Sequence, residues 1–152
     1  MHIRPVFFGL TLLAIGSACG SSGDGGGKDA TGNDGPAAVT VSVSYQGTSQ
    51  AVALTGMPTI DVQGAPVVRL SDVVAKAFPA ASLDKIQADF RSADGFMPAS
   101  KDFCKTLIPL KGSLLAQGYI DPVTRNLSWD ESLKYPGCMS VTGTAEILVT
   151  DS

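Results

Sequence analysis

Histidine is almost missing from this chain: His2 is the only one among 152 residues. Beyond it no imidazole can serve as general base to a cysteine nucleophile, or as a nitrogen ligand to zinc. Charge is also sparse, at 16% of residues, with 11 basic and 14 acidic side chains giving a net charge of −3. A scattered, mildly acidic balance argues against nucleic acid as a partner. Beyond the first fifteen residues no apolar run is long enough to cross roughly 30 Å of hydrocarbon as a helix. Cysteine is limited to Cys19, Cys104 and Cys138, whose spacing fits no zinc pattern.

What is present begins at the N-terminus. Arg4 is followed by an apolar run from Val6 to Ile15, broken only by Thr11, then by Gly16, Ser17, Ala18 and Cys19. A basic residue, a short apolar stretch and small residues form a secretory signal. A cysteine directly after the small residues makes the segment resemble a bacterial lipoprotein signal. That resemblance implies cleavage before Cys19, a diacylglycerol thioether on its sulfur, and acylation of the new amino group, commonly by palmitate. Gly16 stands where the family carries Leu, and the apolar residue lies one step back at Ile15. Ordinary cleavage near Ala18, or an uncleaved anchor, are the alternatives; the run is short for a span. Gly20 and Ser21 do not resemble the Asp-type inner-membrane retention signal. The expected location is thus the bacterial cell envelope, with the outer membrane favoured over the inner membrane.

Residues 20–38, GSSGDGGGKDATGNDGPAA, have almost nothing to bury. Such a segment cannot offset its ordering entropy and is expected to act as a flexible tether. Its mean reach is about 25 Å. Its carboxylates lack the distal Glu and fixed spacing of an EF-hand. The expected organisation is therefore a signal peptide over 1–18, a lipidated Cys19 with its tether over 19–38, and one globular domain over 39–152. A domain of that size can bury a core without metals.

Cys104 and Cys138 remain for the domain, 34 positions apart. In an oxidising compartment a structural disulfide is the expectation, with two free thiols or a reactive thiol as alternatives. The loop it closes would be worth about 3–4 kcal/mol by chain entropy.

Along the domain, Val39, Val41, Val43 and Tyr45 alternate with polar residues, which predicts a strand. Gln46-Gly47 reads as a turn and residues 51–55 as the returning strand. Residues 59–62 and 66–70 flank Gln63-Gly64-Ala65 as a second hairpin. Ser71 is expected to cap a helix whose apolar face is Leu70, Val73, Val74, Ala77 and Phe78, ended by Pro79. Ile86, Ala88 and Phe90 predict another strand closed by Asp94-Gly95. A short helix is expected over 109–117 with Gly118 as its terminator, a turn at Asp121-Pro122, and one long strand over 139–150. Together these predict a compact, strand-rich α+β domain with one or two short helices.

The order of these elements resembles the core of the sulfite-oxidase-like molybdopterin-binding domain. The segments that carry the resemblance are GAPVVRLSDVVAKAF (64–78), SADGF (92–96), the loop Tyr135-Pro136-Gly137-Cys138, and VTGTAEILV (141–149). The resemblance implies a mixed, strand-rich fold. It also implies a cysteine ligand to molybdenum ahead of the Gly-x-Pro segment, and basic groups for the pterin phosphate. No cysteine lies between Val39 and Gly64, and the arginines of the domain are Arg69, Arg91 and Arg125. No catalytic residue, metal ligand or cofactor is therefore assigned, since fold does not imply function.

Two further clusters carry aromatic, methionine or carboxylate side chains. Phe96 and Met97 after Asp94-Gly95 are expected in the core, with an exposed ligand contact as the alternative. Trp129 beside Asp130 and Glu131 is expected as a core anchor. Neighbouring carboxylates in a strand point apart, so an acid–base pair would need another partner such as Asp121. The sequence thus favours an envelope-anchored lipoprotein with a non-catalytic binding or scaffolding domain. Its partners would be the membrane, through the lipid, and an envelope protein or small ligand. A molybdopterin-linked oxidoreductase-like subunit and a small-ligand-binding periplasmic protein are the alternatives.

Overall fold

The computed structural model describes residues 37–152, which lie within one compact unit. The Cys19 assignment, the signal and most of the tether fall outside the described residues. The domain is a strand-rich α+β fold of two sheets and one α-helix.

β1 (Thr40–Tyr45) and β2 (Thr48–Ala53) form an antiparallel hairpin. Its two turn residues, Gln46 and Gly47, both have positive φ, 49° and 76°. That turn geometry matches the twist of the flanking strands. The last strand, β9 (Thr144–Asp151), lies parallel to β1 and antiparallel to β5 (Ile86–Ser92). A two-residue β6 (Leu110–Lys111) completes a sheet ordered β2-β1-β9-β5-β6. Period-two alternation decides its faces. Val41, Val43, Phe90, Ile147 and Val149 are buried on one face. The opposite face carries Ser42, Ser44, Ser49, Arg91 and Glu146, joined across four strands by hydrogen bonds.

The second sheet is β3-β4-β7-β8, with β3 (Ile60–Val62), β4 (Ala65–Arg69), β7 (Gly118–Ile120) and β8 (Leu127–Trp129). β4 runs directly into α1 (Leu70–Ala77), which buries Leu70, Val73, Val74 and Ala77. One core cluster draws on both sheets and α1.

Several local expectations are corrected. Ser71 does not cap α1: extended Arg69 holds that place without a side-chain bond, and Ser71 is buried inside the helix. β4 feeds the helix without a turn, so no capping serine fits between them. The short helix over 109–117 is instead β6 followed by a 3-10 segment, Gly112–Gln117. Gly118 is extended (φ −109°), not a left-handed terminator. Its need for glycine is steric: a Cβ would stand 2.5 Å from Trp129 Cζ3 and 2.7 Å from Leu70 Cδ1. The long strand over 139–150 begins only at Thr144; Gly137–Met139 is a 3-10 turn, and Met139 and Val141 reach the core from turn and loop.

Candidate functional site

Cys104 and Cys138 form a disulfide with Cα atoms 6.6 Å apart. Cys104 is fully buried. The bond ties the loop after β5 to the turn before β9.

The carboxylates near Trp129 are taken up by structural hydrogen bonds. Asp130 caps the 3-10 turn Glu131–Leu133 by accepting from the Ser132 N–H at 2.9 Å. The Ser132 bonds, side chain first and then backbone, hold its carboxyl below the usual range. Glu131 accepts from Gln63 Nε2. Asp121 closes an Asx turn, accepting from Val123 N–H at 2.7 Å and Thr124 N–H at 2.9 Å. The Thr124 backbone bond leads in lowering its pKa. Two aspartates bound to amide donors of their own loops are structural groups in this arrangement. Trp129 sits edge-on between Phe90 and Tyr135, centroids 5.7 and 5.2 Å away, and donates Nε1–H to the Met139 carbonyl at 2.6 Å.

Asp94 behaves similarly. It accepts from the Ser92 hydroxyl and from Phe96 N–H, and the Ser92 bond leads in lowering its pKa. Gly95 takes φ +86° to close the turn, and Phe96 folds back against the core. At the end of β9, Asp151 accepts from Tyr45 Oη at 2.7 Å. That bond lowers the Asp151 carboxyl and raises the Tyr45 phenol. Among the described residues, no three His, Cys, Asp or Glu side chains cluster in a way that could hold a metal ion.

The segments behind the molybdopterin-domain resemblance occupy β4 with α1, the turn after β5, the loop that enters the 3-10 turn Gly137–Met139, and β9 with its approach. Arg69 ends β4, and Arg125 lies in the β7–β8 turn with φ 61°. Arg91 pairs with Glu146 at 3.1 Å.

Sequence reasoning did not single out the concavity along β2. Two hollows of about 400 and 520 Å³ share Gln50 and Ala77 and so form one groove between β2 and the C-terminal end of α1. Phe78, Pro79 and Ala80 line one end, with Tyr45 stacked edge-on against Phe78 at 5.5 Å. Lys76 is the one charged side chain among the described lining residues. The groove presents solvent-exposed strand backbone and a single cation, an arrangement that suits recognition of a ligand.

Searches against family models, curated proteins and solved structures give no match to this chain.

Proposed function

We propose that this chain is an envelope-anchored lipoprotein, held to the outer membrane through Cys19, whose tethered α+β domain binds or scaffolds an envelope component without catalysing a reaction. The observation that carries this reading is the groove along β2 with its single charge, combined with local structural duties for Asp121 and Asp130, the aspartates weighed for acid–base chemistry, and for Asp94 in its turn. Asp94, Asp121 and Asp130 accept hydrogen bonds within their own turns, and the groove's described lining contains one charge, Lys76. The tether expected over residues 19–38 would let such a domain search the space next to the membrane.

The test is a Cys19→Ala variant expressed with its native export signal. It is expected to move from the membrane fraction to the soluble envelope fraction with an unchanged melting temperature. Retention in the membrane would contradict the anchor. Molybdenum or pterin fluorescence in the purified wild-type protein would contradict the non-catalytic assignment.

A further inference from the structure

Backbone polar groups at a sheet edge are a template for another strand, and proteins usually blunt such edges with charges, proline, bulges or shortness. Three of the four edges here are blunted. β6 has two residues, one of them Lys111; β3 has three, including Asp61; β8 has three. β2 is different. It has six residues, TSQAVA, contains no charge or proline, and among the described residues pairs only with β1, in regular register. No charged residue occurs anywhere between Asp34 and Asp61.

The register identifies the outward groups. The Leu54 N–H donates to the Val39 carbonyl at 2.8 Å, continuing the ladder one step past the strand ends. Hydrogen-bonded pairs in an antiparallel ladder alternate. Val41↔Val52, Val43↔Gln50 and Tyr45↔Thr48 are therefore the bonded pairs. The N–H and C=O of Ser49, Ala51 and Ala53 point away from β1. Among the described residues, none of these groups has a backbone or side-chain partner outside the hairpin. Ala51 and Ala53 line the groove beside Lys76, and the Ala77–Ala81 segment forms its far wall.

We propose that β2 docks an extended peptide segment of a partner protein as an added strand. Main-chain bonds to Ser49, Ala51 and Ala53 would supply affinity, and the two hollows would take alternate side chains. The small apolar wall selects small or medium apolar side chains at those positions. Lys76, unopposed by any acidic residue in the groove's described lining, selects a carboxylate on the incoming strand. A second copy is the weaker occupant: pairing two six-residue edges falls well short of the roughly 1,200 Å² that a stable interface buries. This proposal rests on the binding reading above and specifies its ligand.

The test uses the full mature protein. Synthetic octapeptides with a free C-terminal carboxylate, randomised over Ala, Val, Leu, Ile and Phe at alternate positions with Thr between, are selected on immobilised protein. The enriched peptide is then titrated by fluorescence anisotropy. Wild-type protein is expected to bind it with slowed amide exchange at Ala51 and Ala53. Ala51→Pro removes an outward N–H and no β1–β2 bond, so it should keep its circular dichroism spectrum and lose at least tenfold in affinity. Lys76→Glu, on the exposed side of α1, should lose about fivefold against the carboxylate and little against the C-terminal amide. An N-methyl group on the peptide amide facing Ala51 should abolish binding.

No enriched peptide, binding indifferent to a folded Ala51→Pro, or exchange protection elsewhere would overturn the proposal. Concentration-dependent dimerisation that protects Ala51 would assign the edge to a second copy and also overturn it. Should peptide binding fail while Cys19→Ala still releases a cofactor-free domain from the membrane, the docking mode falls and the anchored, non-catalytic reading stands.

Discussion

Replacing Gly118 with alanine sets two effects against each other, and the geometry says which wins. Gly118 is extended, with φ −109° and ψ 146°, a conformation open to any residue. By itself a Gly→Ala change there stabilises by about 0.4–1 kcal/mol, through loss of unfolded-state freedom. The added Cβ would stand 2.5 Å from Trp129 Cζ3, 2.7 Å from Leu70 Cδ1 and 2.9 Å from Trp129 Cε3. Both neighbours are held in place. Leu70 is fully buried, and Trp129 is fixed between Phe90 and Tyr135 with its N–H on the Met139 carbonyl at 2.6 Å. Overpacking of this kind costs about 1–3 kcal/mol, and a strained indole hydrogen bond adds about 1 kcal/mol. The net expectation is destabilisation by about 1–3 kcal/mol, which lowers a urea midpoint by about 1 M at ordinary slopes. Trp129 is the only tryptophan in the chain, so its emission reports the transition and the local change together. The midpoint should fall and the native emission should shift. An unchanged spectrum with a raised midpoint would refute the reasoning, because the entropic effect would then have won and the ring would be free to move.

Three other outcomes follow from the same structure. Gly112→Ala should be costlier still: its Cβ meets the Leu83 carbonyl oxygen and Ile86 Cγ1 at 2.6 Å or closer, and backbone cannot yield as a side chain can; thermal melting beside Gly118→Ala checks the order. Replacing Cys104 and Cys138 together by alanine should cost about 3–4 kcal/mol for the 34-residue separation, read as a fallen urea midpoint; an unchanged midpoint would deny the disulfide any part in stability. Asp94, Asp121, Asp130 and Asp151 have carboxyls held below their unfolded values by hydrogen bonds. Their stabilisation is complete above about pH 5 and is lost as pH falls through the unfolded and then the folded values. Asp89, raised by burial, acts in the opposite sense. Midpoints at pH 7, 5 and 3 should fall toward acid, with Asp121→Asn flattening that limb; a flat wild-type profile would contradict the assignment.

The parts of the fold that were legible were those with a complete local period. β1 alternates over six residues, β5 over seven, and α1 places Leu70, Val73, Val74 and Ala77 on one face. The second sheet was harder. β7 and β8 have three residues each, and β7 is buried at every position, so neither displays an alternation. Gly118 read as a terminator because the contact that requires glycine comes from Trp129, eleven residues on. The strand expected over 139–150 is shorter in the fold because Met139 and Val141, apolar and buried, are delivered to the core by a turn and a loop. The groove joins β2 to the end of α1, segments more than twenty residues apart, and no local pattern announces it. Its one trace in the sequence was the uncharged stretch between Asp34 and Asp61.

The central claim is an acylated Cys19 carrying a disulfide-joined binding domain, and intact mass spectrometry of the protein extracted from membranes tests it most directly. With and without reduction and alkylation, the account predicts a chain starting at Cys19 and heavier by a diacylglycerol and an acyl group. Cys104 and Cys138 should alkylate only after reduction. An unlipidated mass, or cysteines in the domain that alkylate without reduction, would contradict it.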